Sequence, residues 1–245
     1  MSSTDSFPFM REFVLEPPWD AVLHGSMLSI ATIILTFLLE IFSLPTVRGV
    51  LKQRNGPSLY LQAVALNFFN HFAFGVPVYA IAVSLLCRDD EAASVLLFLM
   101  RTTCVVIIHA ILYYSVHKAF HSSPQLYVYH RFHHRFNTHV PPVAANAVSA
   151  VEYLCAYIIP FALGALLVRP EEKELQVAVA IISLSNLLIH TPRLEEVSKI
   201  LGPLFVTTHG HIEHHKRMNV NYAAPTINMD WIVEQLQLFT SKHVV

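Results

Sequence analysis

The sequence predicts an all-α, integral membrane helical bundle with a histidine-rich cap at one membrane face, and three observations predict it. The chain of 245 residues is 54% hydrophobic and only 13% charged, more apolar than an ordinary soluble domain. Its apolar residues gather into runs long enough to cross a bilayer, separated by short polar turns. Most of its fifteen histidines fall into three short bursts near the ends of those runs.

Taken in order, residues 1–20 form a polar N-terminal segment carrying Asp5, Arg11, Glu12, Glu16 and Asp20 around Pro8, Pro17 and Pro18. That pattern has neither the basic flank nor the cleavage site of a secretory signal, so the first apolar run is expected to stay in the mature protein. Residues 21–245 are expected to form one domain, since no repeat or long linker interrupts them. Candidate spans cover residues 21–43, 62–87, 94–116 and 145–168. Each has about 22 residues or more, enough at roughly 1.5 Å per residue to cross a hydrocarbon core of about 30 Å. A fifth, residues 175–190, is shorter. The polar stretch Arg169-Pro170-Glu171-Glu172-Lys173-Glu174 before it suits a hairpin that returns His190 to the face holding the other histidines.

Two charges lie within spans, Glu40 and Arg101. Each costs on the order of 2.5–3.5 kcal/mol at mid-membrane, and their closeness to span ends predicts that they snorkel. Cys87, Cys104 and Cys155 sit in or beside apolar runs without CxxC spacing, which predicts buried small hydrophobes rather than disulfides or a zinc knuckle. A net charge of −1 and an isoelectric point near 6.9 offer no footprint for nucleic acid.

The basic residues orient the bundle. Arg48, Lys52, Arg54, Lys118, Arg131, Arg135, Arg193, Lys199, Lys216, Arg217 and Lys242 share the histidine side, whereas Arg11, Arg88, Arg169 and Lys173 lie opposite, beside Asp89, Asp90 and Glu91. The positive-inside rule therefore puts the histidines in the cytoplasm.

His117 and His121 are spaced i, i+4; His130, His133 and His134, like His211, His214 and His215, are spaced i, i+3, i+4. On helices each burst becomes one stripe. Imidazole suits iron, zinc, copper or nickel, but a structural zinc site takes about four ligands and a catalytic one about three plus water. Eight is surplus, and His190 makes a ninth. No HExxH occurs, and HxxEH fails at Gly210. A bis-histidine haem would need ligands within the spans, where only His24, His71 and His109 lie. Two metals taking four or five imidazoles each fit the count, so the expected cap is a cytoplasmic di-metal one. His209 falls on the opposite helical face from His211, and His139, beside Pro141 and Pro142, is expected in solvent. His24, His71, His109 and His243 are expected to be structural, with His109 two turns above His117 in position to line a substrate channel. Glu152, Asn186 and Asp230, and beyond them Asn146 and Glu213, are the polar groups available to accept the rings' outer N–H.

The runs Tyr114-Ser115-Val116-His117-Lys118-Ala119-Phe120-His121, His130-Arg131-Phe132-His133-His134 and His211-Ile212-Glu213-His214-His215 resemble the three histidine boxes of the sterol desaturase and fatty acid hydroxylase superfamily. Pro142-Val143 and Glu152, then Asn221-Tyr222 and Asp230-Trp231, resemble the segments that follow the second and third boxes, so the likeness covers about residues 110–235. Lys118, Ala223 and Leu194 depart from the family's usual residues and leave the substrate open. The resemblance implies two iron ions held by the nine histidines and O2 as co-substrate. It further implies hydroxylation or desaturation of a sterol or fatty-acyl lipid, and a place in the endoplasmic reticulum. No fused redox domain is visible, so electrons are expected from an external donor such as cytochrome b5 and its reductase, docking on Lys118, Arg131, Arg135, Lys216 and Arg217. The competing reading is a non-catalytic metal-binding membrane protein, a transporter or partner subunit; a transporter would place ligands at mid-membrane.

Overall fold

The computed structural model describes residues 18–88 and 94–243, and among these it contains helices and no strand. The expected N-terminal segment up to residue 17, and Asp89, Asp90 and Glu91, lie outside the described residues, as does the Lys242 side chain. Four helices are long and apolar enough to cross a membrane, and a bent pair makes a fifth candidate.

The first span is α1 (Trp19–Phe42), which turns Leu23, Met27, Ile34, Phe37, Leu38 and Ile41 outward and buries Gly25, Ser29, Ile33 and Thr36. Small residues face inward because lipid offers no penalty to exposed leucine, and close helix approach needs narrow side chains. A Cβ on Gly25 would lie 3.0 Å from the Tyr79 ring. After α2 (Leu44–Leu51), the second span runs Gly56–Leu86, longer than the expected 62–87. Asn55 in the left-handed region and Pro57 start its helix early. It crosses as α3 (Gly56–Phe69), a π-helical turn (Asn70–Gly75) and α4 (Val76–Leu86).

The third span, α5 (Val95–Ser122), continues past the expected end at 116 and carries His117 and His121 on its last turns. Then come α6 (Pro124–His130), a 3-10 turn (His133–Arg135) and a segment, 140–148, that is buried throughout. The fourth span therefore starts at Ala150 and not at 145, crossing as α7 (Ala150–Glu152), a second π-helical turn (Tyr153–Ile158) and α8 (Ile159–Val168).

Arg169, at φ 50°, ends that span, and a capping box between Glu171 and Glu174 opens α9 (Glu172–Ile189). This is the expected hairpin. Together α9 and Pro192–Ile200, which contains α10 (Glu195–Ile200), form the bent pair, with a 101° angle between its arms. His190 caps α9 at the bend. The chain closes with α11 (Thr208–Arg217) and α12 (Met229–His243).

Neither intramembrane charge snorkels. Glu40 is 5% exposed and accepts from the Val143 N–H at 2.6 Å and the Tyr60 hydroxyl at 3.0 Å. Arg101 lies 3.7 Å from both Glu171 and Glu174, pairing with the hairpin rather than with water. Partners from other parts of the chain hold these groups where their own helices would have let them reach the surface. Cys87 and Cys155 are half-buried, but Cys104 is exposed on α5, where the outward face of a span meets lipid.

The buried segment 140–148 is the keystone of the histidine-bearing end. A short 3-10 helix, Pro142–Asn146, satisfies only part of its main chain, and side chains from the spans satisfy more. Asn67 donates to the Val143 carbonyl at 2.8 Å, and Asn70 to those of Asn146 and Val148 at 3.2 and 3.0 Å. The Ala145 carbonyl accepts from Asn186 at 2.9 Å and from Tyr157 at 3.3 Å.

Candidate metal centre

The structure brings all nine expected histidines together, in two adjoining groups. His117, His121, His130, His134 and His214 form one; His133, His190, His211 and His215 form the other; within each, one ring nitrogen per residue lies within 4.8 Å of every other. His134 touches both, its ring centroid 4.8 Å from that of His214 and 5.0 Å from that of His215.

Local chain geometry sorts them. The second burst is not one helical stripe, as its spacing predicted: α6 stops at His130 and the chain tightens into the 3-10 turn. That sends His133 to one group and His134 back to the other. The third burst does stay on one helix, α11, but His211 and His215 at i, i+4 join one group and His214 joins the other. Thr207 caps α11 by accepting from the Gly210 N–H at 3.1 Å, and Thr208 ties it to α9 through the Leu188 carbonyl at 3.0 Å.

The outer ring nitrogens settle the tautomers. Nδ1 of His117 donates to the Tyr222 carbonyl at 2.7 Å, that of His190 to the Asn186 carbonyl at 2.7 Å, and that of His214 to the Val220 carbonyl at 2.8 Å. A carbonyl only accepts, so each Nδ1 carries the ring's proton and each Nε2 is a bare lone pair. His130 Nδ1 donates to a Glu152 carboxyl oxygen at 2.6 Å, a fully buried hydrogen bond. Yet Nε2 of His117 and Nε2 of His130 face each other at 3.0 Å. Two lone pairs at that distance repel unless a cation lies between them. Further Nε2 pairs stand at 2.9 Å (His130 and His134), 3.1 Å (His121 and His134) and 3.0 Å (His190 and His211). Metal–imidazole bonds of about 2.1 Å at right angles put nitrogens about 3 Å apart. The donor set fits metal ions.

Burial supports the same state. Desolvation, followed by neighbouring imidazoles, holds His130, His133, His211 and His215 well below the usual histidine range, and desolvation first lowers His134 to about 2. Burial lowers His214 to about 4 against the opposing pull of its carbonyl partner. All six are neutral near pH 7, as ligands must be.

Of the polar groups expected to orient these rings, Glu152 does so directly. Asn186 acts through its main-chain carbonyl, its side chain being engaged with Ala145 and Asn146. Among the described residues Asp230 hydrogen-bonds to none of the nine imidazoles: it accepts from the Ala223 N–H at 2.6 Å and so pins the loop that presents the Tyr222 carbonyl. Asn146 also reaches none of the ligand rings by a hydrogen bond among the described residues, and Glu213 pairs with Lys216 and Arg217 instead. The Tyr222 and Val220 carbonyls escaped the sequence because a main-chain acceptor has no residue signature. The nearest signal is Asn221, whose left-handed φ of 54° bends the loop inward. His209 is exposed, near Glu195 at 3.7 Å. His139 is half-buried against Gly49, with Gln53 at 3.2 Å from its Nδ1, and not free in solvent.

A family model described as fatty acid hydroxylase matches residues 102–235, a stretch that contains all nine histidines. No curated protein and no solved structure matches the chain.

Proposed function

Because the chain belongs to the fatty acid hydroxylase family, we propose that it is an O2-dependent di-iron membrane oxidoreductase that hydroxylates or desaturates a lipid. The observation that carries the reading is the pair of adjoining all-histidine groups, with the Nε2 atoms of His117 and His130 meeting at 3.0 Å. Two irons bound there would supply an oxidant able to take hydrogen from an unactivated C–H bond.

The protein's own residues set the conditions for that chemistry. Carbonyls of Asn186, Val220 and Tyr222, with Glu152, fix the tautomer and direction of four ligands. Among the described residues neither group includes a carboxylate, so the ligand set so formed is uncharged. Eight of the nine rings are buried, which keeps water from the site; His121 alone is partly open. The ligands sit at the cytoplasmic ends of spans under the positive-inside orientation, where a lipid enters sideways from the bilayer and a soluble-facing donor approaches from water. Exposed Arg131, Arg135, Lys216 and Arg217 offer an acidic donor such as cytochrome b5 a basic rim. The endoplasmic reticulum is the proposed membrane.

The test is to purify the protein from membranes, count iron per chain, and supply labelled O2, a reductase chain and a panel of sterols and acyl lipids. Label in the product identifies hydroxylation, and an unlabelled new double bond identifies desaturation. One zinc per chain with no iron-dependent turnover refutes the proposal.

A further inference from the structure

Two buried histidines stand outside the metal groups. His71 is 8% exposed and His109 is 1% exposed, and each has a ring nitrogen with no hydrogen-bond partner: Nε2 of His71 and Nδ1 of His109. Buried polar atoms are seldom left so unless something else satisfies them. Both line the same cavity, of about 100 Å³, inside the membrane bundle.

The walls of that cavity come from unusual backbone. One π-helical turn supplies His71 and Gly75, and the other supplies Tyr153 and Tyr157. Such turns are rare overall yet frequent at functional sites, each widening a helix locally. A Cβ on Gly75 would lie 3.1 Å from the Tyr153 hydroxyl, so glycine keeps the space open. Asn186, whose carbonyl holds the ligand His190, also lines the cavity, which therefore abuts the metal groups.

The lining mixes hydroxyls, amides and two imidazoles with apolar side chains, and holds no Asp, Glu, Lys or Arg. Within a membrane an ion there would have no countercharge. Imidazole both donates and accepts, depending on tautomer, which suits a hydroxyl or a carbonyl. The volume has room for several small groups and not for a whole lipid.

We propose that this cavity is a chamber for the uncharged, oxygen-bearing end of a lipid, an alcohol or a ketone, with His71 and His109 as its hydrogen-bonding partners. It rests on the reading of the chain as a lipid-modifying enzyme and names the class of substrate that reading leaves open. Carboxylate and phosphate ends are excluded from the chamber.

The test measures binding of radiolabelled hexadecanol, cholesterol, hexadecane and palmitate to the full-length protein in detergent, with iron counted on the same samples. At least one alcohol should bind about tenfold more tightly than hexadecane, the worth of one or two neutral hydrogen bonds; which alcohol wins separates a fatty alcohol from a sterol. Palmitate should not compete. His71→Leu and His109→Leu should each shrink the alcohol preference severalfold, His109→Gln should restore part of it, and Gly75→Ala should weaken every ligand that enters. Equal binding of alcohols and hexadecane, preference for palmitate, or an alcohol preference that survives both leucine variants overturns the proposal. Protein that keeps the alcohol preference but holds one zinc per chain and shows no iron-dependent turnover would sink the oxidation reading alone, and iron-loaded protein without the preference would sink the chamber alone.

Discussion

Replacing Glu152 with alanine should loosen the metal centre without unfolding the bundle. The carboxylate accepts the His130 Nδ1–H at 2.6 Å, with the His130 side chain 0% and that of Glu152 1% exposed. It is the one carboxylate that hydrogen-bonds to a ring of either histidine group among the described residues. Removing the acceptor leaves a buried N–H unpaired and lets the ring rotate or change tautomer. Losing an outer partner of a ligating histidine typically weakens metal binding about 10–100-fold, or about 1.4–2.8 kcal/mol. The cost of stranding a buried donor, about 1–3 kcal/mol, agrees. A chelator-competition titration on purified protein measures the change. Glu152→Gln, whose amide oxygen still accepts, should fall between wild type and Glu152→Ala. Glu213→Ala, whose partners are Lys216 and Arg217, should match wild type. Unchanged affinity in Glu152→Ala would refute the argument that this carboxylate holds His130 for metal.

The two histidine groups should separate by stoichiometry: His117→Ala should lower metal content mainly at one site and His190→Ala at the other, read by elemental analysis as about half the wild-type loading each. Exhaustive chelation should lower the thermal midpoint, because bringing bare lone pairs to 3.0 Å is costly without a cation, and adding ferrous iron back should restore it. Asn70→Leu should destabilise the protein by about 1–3 kcal/mol for each carbonyl it strands, those of Asn146 and Val148, measured as a lower denaturation midpoint in detergent. A midpoint equal to wild type would show that water reaches the segment 140–148.

By itself the sequence determined the class, the spans and the identity of the histidines, because hydropathy and i, i+3, i+4 spacing are local properties written in consecutive residues. The positions of α1, α5 and the hairpin before α9 follow from them within a few residues. Local spacing also misled where the chain leaves the helix. The second burst looks like a stripe, but the helix ends at His130, and only the tertiary structure decided that His133 and His134 serve different groups. The same holds for Glu40 and Arg101, whose partners lie far away in the chain: Val143 and Tyr60 for one, Glu171 and Glu174 for the other. Ring orientation was settled last of all, by carbonyls of Asn186, Val220 and Tyr222 that any residue type would provide. Spacing names which side chains are available, but which lone pairs meet depends on turns, main-chain acceptors and packed neighbours that exist only once the chain has folded.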